Sequence, residues 1–184
     1  MKTQQLTSLL LAAAVAPMLT LAQNCDEGSK LVCYGKPAGT AQNINLEDLE
    51  YIVAGFRMAT EDGPQFYTMP ANPTLKGCDE WMMGEPVGSV LVLAKHTSNR
   101  ANSSVSLDEI ADTIDGGVNA TPEQRAKSIM GCGTNGGQFI VQANASNPVY
   151  QTDEYKALGA KPGNIVIKVV HAPAAAVVKR AVRF

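Results

Sequence analysis

The sequence has few aromatic residues, few charged residues and only two histidines. Aromatic side chains make up 5% of its 184 residues, Trp81 is the single tryptophan, and His96 and His171 are the only imidazoles. Hydrolases and ribonucleases usually combine histidine with a carboxylate and a group that holds developing charge. Each histidine here stands alone at the end of a predicted strand, and the two would meet only if those strands were neighbours in a suitable direction. We expect no catalytic residues.

An excess of basic residues is also missing. The chain has 15 lysines and arginines against 17 acidic residues, and no basic stripe with interleaved aromatic residues occurs. Proteins that bind nucleic acid by neutralising its phosphates need such a stripe. We therefore expect no nucleic-acid partner.

Motifs that bind metals or cofactors are absent as well. The glycine-rich stretch 131–137 has no lysine after it, as a phosphate-binding loop requires. Cysteines and histidines are scattered, whereas zinc sites pair their ligands at short spacing. The acidic residues around Leu107 lack the spacing of a calcium loop and are predicted to form the solvated face of a helix: Asp108, Glu109, Asp112 and Asp115. We expect no cofactor and no metal.

No apolar run is long enough to cross a membrane. Residues 6–21 are mostly apolar and follow Lys2, but Pro17 interrupts them. A spanning helix needs about 18 or more apolar residues, whereas a secretory signal needs a shorter run and small residues before its cleavage point, as in Thr20-Leu21-Ala22. We predict a signal peptide at 1–22 ending at Ala22, a single secreted domain at 23–172, and no stable membrane insertion.

Four cysteines follow the predicted cleavage point: Cys25, Cys33, Cys78 and Cys132. An even number of cysteines in an oxidising compartment predicts two disulfides, and the sequence leaves three connectivities open. Three Asn-x-Ser/Thr triplets are candidate glycosylation sites that suit a secreted glycoprotein: Asn102, Asn119 and Asn144.

The segment 173–184 is a basic tail after a mostly acidic body. Its Lys179-Arg180 pair is a dibasic site that kexin-type proteases cut in secreted chains. The alternative is a frayed tail without processing.

Hydrophobic periodicity predicts helices and strands in no regular alternation. Helices are expected at 46–58 and from Leu107 to about Val118, with a short helical turn after Thr121. Strands are expected at 30–34, 65–69, 88–97, 138–143 and 164–171, with a polar loop at 99–104. This order favours an α+β fold over a doubly wound sheet.

Asp79, Glu80 and Trp81 form the candidate binding site. An indole can stack on a sugar ring, and a neighbouring carboxylate can act as an acid. The alternative is a core tryptophan packed against a disulfide. The loop 70–81 that carries these residues is also a candidate contact surface.

The order of elements and two short segments resemble a known family. A helix at 45–58 after an early cysteine, an apolar strand at 89–95, the segments 105–114 and 126–132, and a strand at 139–141 resemble the necrosis-inducing factor family of secreted fungal effectors. They also resemble the related killer-toxin-like proteins of smut fungi. A cysteine that those families often carry before the second helix is missing, since Val90 to Leu93 stand there.

The resemblance implies two helices packed on one face of an antiparallel sheet, and an action outside the cell. We expect a secreted, non-enzymatic effector or toxin-like protein that binds an extracellular host or microbial target. The alternatives are a small secreted hydrolase acting on RNA or glycan, and a secreted inhibitor or wall-binding module.

Overall fold

The computed structural model describes residues 25–35, 37 and 39–173, so Ala22, Lys179 and Arg180 lie outside the described residues. The helices are α1 (Leu46–Ala59), α2 (Leu107–Asp115), α3 (Pro122–Arg125) and α4 (Asp153–Ala157), with 3-10 helices at Leu75–Cys78, Ile129–Asn135 and Pro148–Gln151. The strands are β1 (Val32–Cys33), β2 (Phe66–Met69), β3 (Trp81–Met82), β4 (Val90–His96), β5 (Ser103–Ser106), β6 (Gly137–Ile140), β7 (Lys161–Pro162) and β8 (Ile165–His171).

The main sheet is antiparallel and has the strand order β1-β6-β8-β4-β3. Its centre is the ladder between β4 and β8, which runs from the pair Val90 and His171 to the pair His96 and Ile165. Both strands are rich in valine, leucine and isoleucine, as strands covered on both faces require. The predicted α+β fold is confirmed.

The two long helices cover one face of this sheet, which we call the inner face. Leu49 of α1 and Ile110 of α2 are fully buried in the same core as residues of the sheet, and the two helices pack against each other. The inner-face residues of the two central strands join the same core: Val90, Val92, Ala94, Ile165, Ile167 and Val169. The two-layer arrangement predicted from the family resemblance is therefore present.

A polar contact fixes α1 to the beginning of β4. The Asn45 side chain caps α1 by accepting from the Glu47 N–H at 2.9 Å, which is worth about 1 kcal/mol at a helix start. Asp48 Oδ2 accepts from Ser89 N at 2.8 Å and from Ser89 Oγ at 3.0 Å. Gly88 has φ 51°, and a Cβ there would collide with the Asp48 carboxylate, so this approach requires glycine.

The prediction of a loop at 99–104 is wrong at its end, because Ser103–Ser106 forms a strand that is buried at every position. This strand belongs to a second sheet with the strand order β2-β5-β7. The polar groups of this strand are hydrogen-bonded, which removes most of the cost of burying them. Thr68 Oγ1 bonds Ser104 Oγ at 2.8 Å, and Tyr155 OH donates to the Ser104 carbonyl at 3.2 Å.

The acidic face of α2 is not wholly solvated, contrary to the prediction. Glu109 and Asp115 are buried. Glu109 accepts from the Tyr150 hydroxyl and from Asn144 N. Asp115 accepts from Arg57 at 2.7 and 2.9 Å. Burial raises the pKa of Asp115, but the bonds from Arg57 and from the Gly117 N–H together outweigh it and leave that pKa below its ordinary value. These two carboxylates can be buried because residues distant in the sequence donate hydrogen bonds to them.

The predicted disulfides are present, and the structure selects one of the three connectivities. Cys25 pairs with Cys78 at a Cα separation of 5.3 Å, and Cys33 pairs with Cys132 at 5.1 Å. The first bond ties the start of the described chain to the 3-10 helix before β3. The second ties β1 to the 3-10 helix before β6.

Candidate binding site at the outer face and free edge of the sheet

The outer face of the main sheet, opposite the helices, carries two lysines on its central strands. Side chains alternate between the faces of a strand, so Leu93 and Lys95 of β4 share the outer face with Val166 and Lys168 of β8, their ladder partners. Lys168 is only 9% exposed. A buried ammonium group needs an acidic partner.

Glu27 supplies that partner. Its Oε1 atom lies 2.6 Å from Lys95 Nζ and 2.9 Å from Lys168 Nζ, and Gln138 Nε2 donates to its Oε2 at 2.8 Å. The Tyr34 hydroxyl donates to Gln138 Oε1 at 2.9 Å, and Glu80 Oε1 lies 2.8 Å from Lys168 Nζ. We call Glu27, Lys95, Lys168, Glu80 and Gln138 the outer-face cluster.

The outer-face cluster is charged at neutral pH. Burial raises the pKa of Glu27, but the bonds from Lys168 and Lys95 outweigh it and hold that pKa below the ordinary value of 4.5. Burial alone would lower the pKa of Lys168, and the bonds to Glu27 and Glu80 raise it above the ordinary 10.5. Groups whose pKa values shift in these directions keep their charges near neutral pH. The cluster therefore acts as an ionic clamp and not as an acid–base pair.

The predicted binding residues lie on and just before β3, the edge strand next to β4. Asp79 is exposed and Glu80 joins the outer-face cluster. Trp81 pairs with Ala94, a residue of the inner face, whereas Met82 pairs with Leu93 of the outer face. Strand alternation therefore places Trp81 on the opposite face from Glu80, and the three predicted residues do not share one surface.

The exposed apolar area at this edge consists of Trp81 and Met82. Trp81 is 37% exposed and Met82 60%, so the tryptophan is not a fully buried core residue. Met83 N donates to the Val92 carbonyl at 3.0 Å. Because backbone groups alternate in direction along an antiparallel ladder, the N–H and C=O of Met82 point away from β4, toward the free edge.

The two histidines do not meet, although their strands are neighbours. His96 pairs with Ile165 and His171 with Val90, at opposite ends of an antiparallel ladder, which places them about 20 Å apart. His96 is 1% exposed and its Nε2 lies 3.2 Å from the Pro70 carbonyl. Burial lowers the pKa of His96, partly opposed by the contact with Pro70. This imidazole belongs to the core.

The asparagines of the three glycosylation triplets are exposed, whereas Ser103 and Ser104 of the first triplet are buried in β5. The Asn102 side chain is engaged, since its Oδ1 accepts from Ala71 N at 2.8 Å. Asn144 Oδ1 accepts from Ser146 N at 3.1 Å. Asn119 lies in the loop between α2 and α3.

The outer-face cluster was missed in the sequence, apart from Glu80. One signal was present: Lys168 interrupts the apolar run of β8, which periodicity otherwise marks as covered on both faces. Glu27 gives no local signal, because its contacts are made with residues more than 60 positions away.

Comparison with protein-family models, with curated proteins and with solved structures finds no match to this chain. The family resemblance thus stays a prediction. Among the described residues, no helix is long and apolar enough to cross a membrane. The described residues also contain no group of three or more histidine, cysteine, aspartate or glutamate side chains placed to hold a metal ion.

Proposed function

We propose that the protein is secreted and acts outside the cell as a non-enzymatic effector or toxin-like protein, by binding a target on a host or competitor organism. The observation that carries this proposal is the exposed pair Trp81 and Met82 on an edge strand. The Cys25–Cys78 disulfide and the bond between Glu80 and Lys168 hold the residues just before this strand, and the Met83 N–H, which donates to the Val92 carbonyl, holds the residue just after it.

The edge favours an extended segment of a target protein as its ligand. Such a segment would take the outward N–H and C=O of Met82 and extend the sheet. Trp81 and Met82 would then pack on the two faces of the added strand. Tryptophan contributes strongly to protein interfaces, and a strand that is already fixed loses little conformational entropy on binding.

Secretion is supported by the disulfides and by the leader sequence. Disulfides form and persist in oxidising compartments, and the two bonds here close loops of 53 and 99 residues. The signal predicted at 1–22 gives the route. Intact-mass analysis of secreted material should find Gln23 as its first residue, and retention of Met1 would contradict secretion by this leader.

The experiment is a dose–response assay of purified, oxidised protein on host tissue and on competing microbes. We expect the double variant Trp81→Ala, Met82→Ala to need at least a tenfold higher dose, with circular dichroism showing that the fold is retained. The matched control is Val118→Ala, Leu158→Ala, which removes exposed apolar groups elsewhere. Equal potency of the two double variants would refute a binding role for the edge.

The same assay separates binding from catalysis. The variants His171→Ala and His96→Gln should retain the response; glutamine is chosen at 96 because that site is buried. A response that disappears in either variant while circular dichroism is unchanged would favour a secreted hydrolase.

A further inference from the structure

A groove lined by both apolar and charged side chains lies in the layer of helices, which we call the helical layer. It has a volume of about 350 Å³ and lies between α1, the end of α2, the end of α3 and the 3-10 helix Ile129–Asn135. Val53 and Met130 are buried in its lining, whereas Met58 is 66% exposed. Apolar groups are therefore accessible at a concave surface, as in grooves that take peptides.

The helical layer around this groove is strongly acidic. Residues 46–62 and 107–127 contain ten acidic and three basic residues, a formal charge of −7, while the other described residues contain seven acidic and seven basic residues. A separation of charge of this size attracts a partner of opposite sign and orients it on approach.

The groove already holds two guanidinium groups, one firmly and one loosely. Arg57 bonds Asp115 at 2.7 and 2.9 Å and Asp112 at 2.8 Å. Arg125 Nη1 lies 2.9 Å from Met130 Sδ but 3.8 Å from Glu50 Oε1. The side chains of Arg125 and Glu50 are 47% and 60% exposed, so an incoming cation can replace the weak contact between them.

We propose that this groove binds a basic, apolar segment of a partner protein. An arginine or lysine of the segment takes the place of Arg125 beside Glu50, with Glu61 as a second carboxylate, and an adjacent apolar side chain packs against Met58. The groove is separate from β3, so this inference goes beyond the proposed function and does not depend on it.

The test uses the full secreted chain and a fluorescent octapeptide of alternating arginine and leucine. We expect saturable binding by fluorescence anisotropy that weakens as salt is raised, because exposed charge pairs are screened. An octapeptide with glutamate in place of arginine should not bind. Absence of binding by the basic peptide at low salt would overturn the proposal.

Matched variants locate the binding. Glu50→Gln with Glu61→Gln should raise Kd about tenfold, since two exposed ion pairs are lost, and Met58→Ala should raise it severalfold. The control pair Glu85→Gln, Glu154→Gln makes the same change of charge at exposed positions outside the helical layer and should stay within twofold. Equal weakening by both pairs would show attraction by net charge alone and overturn the proposal.

The outcomes distinguish a failure of the groove proposal from a failure of the function proposed for the β3 edge. Loss of peptide binding in the groove variants with a normal tissue or microbial response supports the groove and separates it from the β3 edge. A groove variant that binds the peptide as well as the parent protein overturns the groove proposal, whatever the response assay gives.

Discussion

The inner and outer faces of the main sheet are built on the same two central strands but are covered in different ways. On the inner face, Ile167 and Val169 pack against apolar residues of two long helices. On the outer face, the segment after Cys25 has almost no regular structure, and the Glu27 carboxylate and the disulfides hold it in place. The hydrophobic effect thus suffices where helices cover a sheet, whereas a short covering segment needs covalent and ionic attachment.

The largest expected effect comes from removing the disulfide that joins β1 to the core. The change Cys33→Ser with Cys132→Ser opens a loop of 99 residues, for which loop entropy gives a loss of about 4 to 5 kcal/mol in the free energy of unfolding. Urea unfolding measures this loss. The single change Cys132→Ala should also lower secreted yield sharply, and unchanged yield and melting would contradict the role given to this bond.

A core truncation on the inner face should follow in size. Ile167 is fully buried beneath the helices, and Ile167→Ala should cost about 3 to 4 kcal/mol through lost burial and the cavity that remains. Val166→Ala, on the outer face of the same strand, removes fewer atoms and should cost about 2 kcal/mol. A larger loss at Val166 would reverse the proposed difference between the faces.

The outer-face cluster should show a smaller but specific effect. Glu27→Gln keeps the shape of the side chain and leaves Lys95 and Lys168 without the carboxylate between them, which should cost about 2 to 3 kcal/mol. Exposed Glu85→Gln should change the free energy of unfolding by less than about 0.5 kcal/mol. If the two variants unfold alike, the ionic clamp contributes nothing to covering the outer face.

The smallest effect is a pH dependence that belongs to the inner face. Because the folded-state pKa of His96 lies below its ordinary 6.5, the unfolded chain binds a proton first as pH falls. The stabilising contribution of neutral His96 is complete above pH 6.5 and declines toward its lower folded pKa, by up to about 1.4 kcal/mol per pH unit. Urea titrations between pH 7 and pH 5 measure this slope.

One variant checks that assignment. His96→Gln should flatten the slope. Glu27 and Asp115 have folded pKa values below their ordinary 4.5 and 3.8, so their contributions decline only in more acidic solution. A slope between pH 7 and pH 5 that persists in His96→Gln would assign it to another group.

Elements with an apolar pattern could be predicted from the sequence, and elements held by distant polar partners could not. The helix predicted at 46–58 and the strand predicted at 164–171 agree closely with α1 and β8, because a buried stripe leaves a regular spacing of apolar residues. Ser103–Ser106 has no such stripe, and its burial depends on partners such as Tyr155 and Thr68 that only the fold supplies.

The candidate site shows the same division. Local composition made Trp81 and Glu80 candidates, since an indole beside a carboxylate can bind a sugar. It could not show that β3 separates them onto two faces, or that Glu27 reaches Lys95 and Lys168 across the sheet. Strand register and long-range ion pairs are set by tertiary contacts, and periodicity does not encode them.

Hydrogen exchange measured by mass spectrometry tests the difference between the two faces most directly. Wild-type protein is compared with the variant Cys25→Ser, Cys78→Ser under native conditions. We predict faster exchange at β3 and at Met83, whose N–H donates to the Val92 carbonyl, and unchanged slow exchange in β8 and α2. Unchanged protection of β3 and Met83, or an equal loss of protection in β8, would contradict the account that the outer face is held by its attachments and the inner face by its packing.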